Sequence, residues 1–411
     1  MKRMIALIAG AGTAGVILGS VFAVADSHSQ SPSSTTSSPS TSGDGKEIFR
    51  FDTFGDEQLW TEVLQMQKVL PGVSPRTALS VGLKVDSDAL PADVIKAIQA
   101  GQVNLDDPAV TVQLLKLNAV IGVIGKVTGP NNHLATVGIT CALCHSTVDD
   151  SVTTGIGRRL DGWPNRTLNV GAIVSLSPAV VDKTPFQSWG PGKFDARLQI
   201  FDGKRLVPLS SFTVPVLIAP AYGLKGVGFE TYTGDGVISY WNNYVGVTQM
   251  GGHGSFSDPR IAISVKQMPD QVTPKLPALL NYQLGLQAPP PPAGSFDPAA
   301  AQRGQDVFNN AGGCARCHKP PLFTDVLNGP DPNVPFLHSP FEVGTDPAYA
   351  ARSATKQYRT TPLRALWQHP PYFHDGSAPD LLAVVNHYNV QFKLGLNDRQ
   401  KADLVEYLKT L

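Results

Sequence analysis

The chain has 411 residues, in which 33 lysines and arginines are balanced by 33 aspartates and glutamates. Apolar residues make up 42% of the chain, which is enough to form a sizeable core and excludes a wholly disordered protein. The zero formal charge argues against nucleic acid or anionic lipid as the main partner, because both select basic surfaces. At this length, two domains are the default expectation.

The first 45 residues predict an export signal followed by a tether. Residues 1–25 begin with two basic residues, continue as an apolar run and end in Ala23-Val24-Ala25, the small-residue pattern of a cleaved signal peptide. The alternative is an uncleaved N-terminal membrane anchor. Residues 26–45 are rich in serine, threonine and proline, which predicts a disordered tether. We therefore expect a periplasmic protein.

Residues 46–285 are predicted to form a first and larger domain. The spacing of apolar residues predicts an amphipathic helix from Asp56 to Leu70. An aspartate-proline start predicts a second helix from Asp107 towards Val123. A short helix is predicted from Val237 to Val245, and residues 185–235 are predicted to be loops with a few short strands.

Residues 286–295 contain four consecutive prolines and predict a linker to a second domain, residues 296–411. Asp297-Pro298 has the form of a helix N-cap followed by proline at the first helical position. Asn397 is predicted to cap an amphipathic helix that closes the chain.

The four cysteines of the chain lie in two segments of the same form. These are Cys141-Ala142-Leu143-Cys144-His145 and Cys314-Ala315-Arg316-Cys317-His318. C-x-x-C-H is the attachment pattern for c-type haem: the two thiols bond the porphyrin, and the adjacent histidine is the proximal iron ligand.

Zinc sites, redox-active thiol pairs and disulfides were the alternatives for these cysteines. Zinc-binding pairs usually lie closer together along the chain, and neither redox pairs nor disulfides require a histidine after each motif. The segments therefore predict two covalently bound c-type haems, with His145 and His318 as proximal ligands. The expected fold is mainly α, with two cytochrome c-type haem domains, the first enlarged by loops and a few short strands.

Haem reactivity depends on the sixth ligand of each iron. The second domain contains no methionine, so it cannot complete the usual histidine–methionine pair by itself. The candidates for the second haem are His338, His369, His374, His387 and Tyr388. The candidates for the first haem are His133, Met250, His253 and Met268.

The stretch from Thr361 to Tyr388, which contains Pro371-Tyr372-Phe373-His374-Asp375-Gly376-Ser377, resembles the bacterial di-haem cytochrome c peroxidase and MauG superfamily. With the two haem motifs and the closing helix, the resemblance covers residues 296–411 well and residues 140–285 more loosely. It implies a periplasmic di-haem enzyme that reacts with peroxide or oxygen.

The resemblance also implies roles for residues of the second domain. The sixth ligand in this superfamily lies 14 positions after the histidine of the string, and counting from His374 gives Tyr388. Neighbouring His387 is the second choice. His374 itself is implied to be a catalytic residue close to the haems.

For the first haem, the resemblance implies a distal acid–base residue, and the matching position falls on His253 rather than on a carboxylate. His253 could shuttle a proton or could bind the iron. The inter-haem tryptophan of relatives is also missing, with Phe229, Tyr232 or Trp241 as stand-ins. An asparagine linked to calcium in relatives is replaced near Thr213, which makes bound calcium doubtful.

Arg158, Arg159 and Arg166, together with Trp163, form a cluster after the first haem motif. Guanidinium groups bind carboxylates in a bidentate way, so we expect haem propionate pairing and a pocket wall here. A surface loop with a buried tryptophan is the alternative.

The sequence thus predicts an exported di-haem oxidoreductase that reduces hydrogen peroxide, or uses peroxide or oxygen as oxidant, at the first haem. The second haem would transfer electrons from a redox protein or a quinol-derived donor. The alternatives are a non-catalytic electron-transfer cytochrome and an oxygenase that acts on an organic substrate.

Overall fold

The computed structural model describes residues 44–411, so the predicted signal peptide and nearly all of the predicted tether lie outside the described residues. Within 44–411, no helix combines the length and the apolar character needed to cross a membrane. Helices, short strands and long irregular segments make up this part of the chain, in agreement with the expected mixture of helices and short strands.

The α-helices are numbered in chain order. They are α1 (Gly45–Phe51), α2 (Met66–Val69), α3 (Pro75–Ser80), α4 (Ala92–Gln99), α5 (Pro108–Lys116), α6 (Ala142–His145), α7 (Val170–Val174), α8 (Thr184–Gln187), α9 (Ile238–Tyr244), α10 (Leu276–Gly285), α11 (Pro298–Asn309), α12 (Pro340–Val343), α13 (Ala348–Ala351), α14 (Leu381–Gln391) and α15 (Asp398–Thr410).

The strands pair in twos, and most pairs are antiparallel. They are β1 (Val85–Asp86), β2 (Val123–Thr128), β3 (His133–Ile139), β4 (Ser146–Val148), β5 (Ile156–Gly157), β6 (Arg159–Asp161), β7 (Lys193–Phe194), β8 (Gln199–Phe201), β9 (Leu206–Pro208), β10 (Val216–Leu217), β11 (Phe229–Glu230), β12 (Gly236–Val237), β13 (Ser255–Asp258) and β14 (Ile263–Lys266).

The residues that precede the proline-rich segment form two apolar cores. In the first, Leu114 and Leu115 of α5 pack with Leu134 and Val137 of β3. In the second, helices α1, α9 and α10 pack around strands β13 and β14. The first cysteine segment lies where these cores meet, since Leu143 belongs to one and Ala142 to the other.

A third core is formed by helices α11, α14 and α15. The Asp297 side chain accepts the amides of Ala299 and Ala300 at the start of α11. At the start of α15, Asn397 and Gln400 form a reciprocal capping box, in which each side chain accepts the other's amide. These caps confirm both predicted helix starts.

Helices α11 and α15 approach each other closely at Gly304. A Cβ built at Gly304 would lie 1.9 Å from the Asp403 carbonyl oxygen, far inside van der Waals contact. We therefore expect Gly304→Ala to lower the free energy of unfolding by about 1–3 kcal/mol through overpacking, although alanine favours helix by about 1 kcal/mol. Guanidinium unfolding would test this, with Gln302→Ala on the exposed face of the same helix as the control. Equal or greater stability of Gly304→Ala would contradict the close approach.

The two halves of the described chain contact each other through a small apolar cluster. Val216 of β10 packs with Tyr349, Ala350 and Tyr358. Nearby, the Leu217 amide donates to the His374 carbonyl at 2.7 Å. Main-chain and side-chain contacts thus join β10 to the C-terminal half.

Two predicted helices differ from the structure. The segment predicted as one helix from Asp56 to Leu70 is a wide helical turn (Gln58–Val63) and α2, separated by Gln65 with φ +56°. Hydrogen bonds to distant main chain explain the break. The Thr61 hydroxyl donates to the Val137 carbonyl and accepts from the Val137 amide, both at 2.8 Å. The prediction of continuous helix was wrong there.

The helix predicted from Asp107 towards Val123 ends at Lys116. Asn118 adopts φ +52°, and the amide of Ile121 donates to the Lys84 carbonyl at 2.9 Å. The β-branched residues that follow then enter the β2–β3 hairpin, since strand pairing suits them better than helix. The prediction for residues 237–245 is confirmed by α9.

Candidate functional site

The first C-x-x-C-H segment forms the short helix α6. Both thiols lie three residues apart on one helical turn, and burial raises the pKa of Cys141 and of Cys144 to about 12. His145 Nδ1 lies 3.1 Å from the Ala219 carbonyl oxygen. Because a carbonyl can only accept, Nδ1 donates, and the lone pair of Nε2 is left to bind a metal. Burial lowers the pKa of His145 to about 4, which favours this neutral form.

The second C-x-x-C-H segment repeats this arrangement on a different scaffold. Cys314–Arg316 form a tight 3₁₀ turn that begins after Gly313, whose φ of +61° suits glycine. His318 Nδ1 lies 3.0 Å from the Phe323 carbonyl oxygen, and burial lowers the pKa of His318. Both predicted proximal histidines are therefore oriented by a main-chain carbonyl, as is usual for metal-binding imidazoles.

An apolar cavity of about 290 Å³ adjoins the second segment. Cys314, Cys317 and His318 line one side of it. The rest of the wall is mainly apolar, with Phe308, Leu366, Leu381, Val385, Leu404 and Leu408 from the third core. Residues of the first half complete the wall, since residues 219–220 and 222–224 also line the cavity. Paired thiols, an adjacent imidazole and apolar walls match what a covalently attached haem requires.

The cavity separates the two candidates for the sixth ligand of the second haem. Tyr388 lines it, and its ring is held by Phe373 and by Phe392, which stacks at 5.8 Å. Burial raises the pKa of the Tyr388 hydroxyl to about 12, with the thiols Cys317 and Cys314 contributing. His387 does not line the cavity, and its Nε2 lies 2.9 Å from the Val343 carbonyl oxygen. The geometry therefore favours Tyr388.

His374 also lines the cavity, but it is held by aromatic neighbours. Its Nε2 lies 3.1 Å from the Tyr358 hydroxyl, and its ring stacks on Tyr349 at a centroid distance of 6.2 Å. Burial lowers the pKa of His374. The Tyr358 hydroxyl donates to the Asp346 carbonyl at 2.6 Å, so His374 Nε2 donates to the Tyr358 oxygen, and this bond fixes the orientation of the His374 ring.

Two further histidines of the cavity are engaged by neighbouring groups. His338 Nε2 lies 3.2 Å from Asp325 and its Nδ1 lies 2.8 Å from Glu342, so both ring nitrogens are paired. Ligand atoms of Cys317, Asp325 and His338 lie within 4.8 Å of one another, a cluster that could hold a divalent ion while the thiol is free. His369 Nε2 lies 3.1 Å from the Arg364 carbonyl oxygen.

His338 makes stability depend on pH. Its hydrogen bond to Asp325, with those to Cys317 and Glu342, raises the pKa of His338 from 6.5 to about 11. The stabilisation is complete below pH 6.5 and is lost as the pH rises towards 11, by at most about 1.4 kcal/mol per pH unit. We expect the free energy of unfolding to fall more steeply between pH 7 and pH 10 in the native protein than in His338→Gln.

Guanidinium unfolding at these pH values measures this difference. His133→Gln, at an exposed position on β3, is the matched control and should retain the native slope. Identical slopes for the native protein and His338→Gln would contradict the prediction.

The three arginines that follow the first cysteine segment lie in different environments. Arg158 is exposed and pairs with Asp149 at 2.8 Å, and Arg159 is buried against Asp86 at 2.8 Å. Neither lines the 290 Å³ cavity. Arg166 does line it, and its Nε and Nη1 are buried without a hydrogen-bond partner. Arg166 is therefore the arginine of this cluster that is placed to receive an anionic group in the cavity.

Arg364 is a site residue that the sequence analysis missed. It lines the cavity, its Nη1 donates to the Pro321 carbonyl, and its Nε is buried without a partner. The signal available was its place in Thr361-Pro362-Leu363-Arg364, within the stretch that carries the family resemblance. Arg166, Arg359 and Arg364 all line this mainly apolar cavity, and Arg359 is already paired with Glu230 at 2.9 Å.

Trp163 contacts Trp367 edge to face, with ring centroids 5.8 Å apart. Trp163 follows Gly162, whose amide donates to the His145 carbonyl, and Trp367 follows Leu366 of the cavity wall. The contact links the surroundings of the first segment to those of the second.

His253 lies against the turn that follows α1. Its amide donates to the Phe54 carbonyl at 2.8 Å, and its Nδ1 is buried without a hydrogen-bond partner. The side chains of Asp52 and Asp56, on the same turn, are close enough to Cys141 to raise the pKa of that thiol, after burial as the main cause. His253 does not line the 290 Å³ cavity.

The other candidates for the first haem occupy different environments. Met250 is buried in the second core, and 69% of Met268 is exposed. Near Thr213, where calcium was considered, the hydroxyl donates to Asp195 and accepts from Trp189, and Arg352 pairs with the same aspartate.

A C-x-x-C-H histidine at the edge of an apolar cavity is the arrangement typical of c-type cytochromes, and this is the class that the site indicates. No protein-family model matches the chain. The chain is 32% identical over 130 residues to methylamine utilization protein MauG from Methylorubrum extorquens, covering 28% of this chain and 35% of that protein. The predicted resemblance to the MauG and di-haem cytochrome c peroxidase superfamily is thereby confirmed.

A second relative is the hydrazine synthase gamma subunit from Kuenenia stuttgartiensis, 31% identical over 173 residues, or 33% of this chain and 49% of that protein. The chain thus matches about half or less of the length of these curated relatives. A solved structure of hydrazine synthase from the same organism aligns with 52% of this chain and 76% of that chain, at 22% identity and a TM-score of 0.32. A MauG-like protein associated with microbial copper homeostasis aligns with 48% and 74%, at 19% identity and a TM-score of 0.33.

Proposed function

We propose that the protein is a periplasmic di-haem c-type cytochrome oxidoreductase that reduces hydrogen peroxide, or uses peroxide or oxygen as an oxidant. Residues 46–285 and 296–411 form its two haem domains, joined by the linker 286–295. The observation that carries the proposal is the repeated geometry of His145 and His318, each of which follows a pair of cysteines and has Nδ1 hydrogen-bonded to a main-chain carbonyl. A haem, when bound, supplies one-electron chemistry and a position for small oxidants.

In this proposal, Cys314, Cys317 and His318 would hold the second haem, and Tyr388 would supply a further ligand to its iron. A tyrosine ligand favours oxidised iron, which suits a centre that accepts electrons at low potential. Arg166 and Arg364 would bind its propionates, because both line the cavity and, unlike Arg359, neither pairs with a carboxylate within residues 44–411.

The first haem is held by Cys141, Cys144 and His145, and its chemistry needs a proton donor. His253 is our candidate, because its buried Nδ1 has no protein partner and imidazole exchanges protons near neutral pH. Electrons pass between the halves through the Trp163–Trp367 contact, whose centroid distance of 5.8 Å brings the two indoles together. The donor is a redox protein or a quinol-derived reductant.

Electron paramagnetic resonance of the oxidised, purified protein tests this function. We expect one high-spin and one low-spin ferric signal, with peroxide consuming the high-spin signal. His253→Ala should slow peroxide turnover about 100-fold, the range for loss of an acid–base group, while the matched variant His133→Ala leaves it unchanged. Two low-spin signals inert to peroxide would instead identify an electron carrier. Oxygen consumption coupled to an organic product would identify an oxygenase.

A further inference from the structure

A second cleft, of about 490 Å³, lies away from both cysteine segments. It is formed between the irregular segment that follows β9 and the segment at the end of α13. Its charged lining residues are Arg197, Arg260, Arg352 and Lys356, and no aspartate or glutamate lines it. A recess with charges of one sign concentrates ligands of the opposite sign.

The carboxylates that balance these arginines are buried behind them. Asp195 pairs with Arg352, Asp235 with Arg197, and Asp258 with Arg260, and all three aspartates are nearly inaccessible to solvent. The three pairs are electrically neutral, and they hold the guanidinium groups in fixed positions. The cations of the cleft are therefore ordered before any ligand arrives, which lowers the entropic cost of binding.

The fourth cation leaves the cleft with an excess positive charge. Lys356 is exposed and forms no ion pair within residues 44–411, and its amide donates to the Ser353 hydroxyl at 2.8 Å. An anion in the cleft would balance the charge of Lys356.

The rim indicates what kind of anion fits. Leu209 and Phe212 line the cleft with 42% and 56% of their surface exposed, a high exposure for large apolar side chains. The volume of about 490 Å³ falls in the range of small-molecule sites and exceeds what a bare inorganic ion fills. Apolar surface beside fixed cations suits a molecule with an apolar body and a carboxylate.

We propose that this cleft binds a small organic acid, with its carboxylate on Lys356 and Arg260 and its apolar part against Leu209 and Phe212. The site is separate from the proposed haem chemistry. Its existence does not depend on that function, since no residue of either cysteine segment lines it.

Isothermal titration calorimetry of the full-length holoprotein with benzoate, and separately with inorganic phosphate, tests the proposal. Benzoate should bind with a Kd on the order of 1 mM or tighter and at least tenfold more tightly than phosphate. Ser211→Asp places a negative charge in the cleft at an exposed residue and should weaken benzoate binding at least tenfold relative to the neutral control Ser211→Asn. Lys356→Gln should weaken it several-fold, and Lys126→Gln, outside the cleft, should have no effect.

Neither serine variant removes a hydrogen bond of the described structure, so both should fold and keep the absorption spectrum of the native protein. Equal binding of benzoate by Ser211→Asp and Ser211→Asn would overturn the site. Phosphate binding as tight as benzoate binding would overturn the assignment to an organic acid, and the absence of heat with benzoate at millimolar concentration would overturn the proposal entirely.

Discussion

Replacing both Cys314 and Cys317 with alanine is expected to halve the haem content of the protein. Each C-x-x-C-H segment would attach one haem through its two thiols, so loss of one pair removes one attachment site and leaves the other intact. The remaining haem should be bound by Cys141 and Cys144. Intact mass and Soret absorbance per polypeptide measure the change directly.

The complementary variant, Cys141→Ala with Cys144→Ala, is the matched control and should lose the other haem. Its remaining absorption should be that of the low-spin centre, whereas the first variant should keep the high-spin one. Full haem content in either double variant would contradict covalent attachment at that segment. Absence of haem from the native protein would remove the proposed function altogether.

Replacing Tyr388 with methionine is expected to raise the reduction potential of the second haem by on the order of 0.1 V or more. Axial ligands set haem potentials over about 0.8 V, and a thioether stabilises reduced iron where a tyrosine stabilises oxidised iron. Methionine also fits an apolar cavity wall, because it is flexible and unbranched. Potentiometric titration followed by absorbance gives the shift.

His387→Gln is the control for this substitution, since it changes the adjacent residue of the same helix. His387 points to the Val343 carbonyl rather than into the cavity, so its replacement should leave the potential unchanged. A large shift in His387→Gln together with none in Tyr388→Met would reverse the assignment and make the histidine the ligand.

The parts of the fold that were predictable from sequence depend on local signals. Asp297-Pro298 and Asn397 predict the starts of α11 and α15, because a helix cap acts within one turn of the helix. The β2–β3 hairpin was not predicted, and the helix assigned to residues 107–123 ran into it. Residues 120–121 are instead held by main chain at residues 84–85, a contact that local periodicity does not contain.

At the candidate site, too, local signals were predictable from sequence and long-range contacts were not. Spacing alone predicts the thiols and the proximal histidines, but it cannot separate Tyr388 from His387, because the choice depends on which face of α14 meets the cavity. His338 appeared as a ligand candidate, whereas its two carboxylate partners engage both nitrogens. Glu342 is only four residues from His338, so the sequence could have suggested that pair. Asp325 is 13 residues from His338 and meets it only through the tertiary fold.

The wall of the cavity beside the second cysteine segment includes residues 219–220, residues 222–224 and Arg166, all from the other half of the protein. A fragment produced from residue 296 onwards would lack these residues, including the Arg166 guanidinium group. A haem bound in that fragment would be more exposed to solvent, which would change its reduction potential relative to the intact protein. Dissection into separate halves would therefore misreport the properties of the second centre, even if both pieces fold.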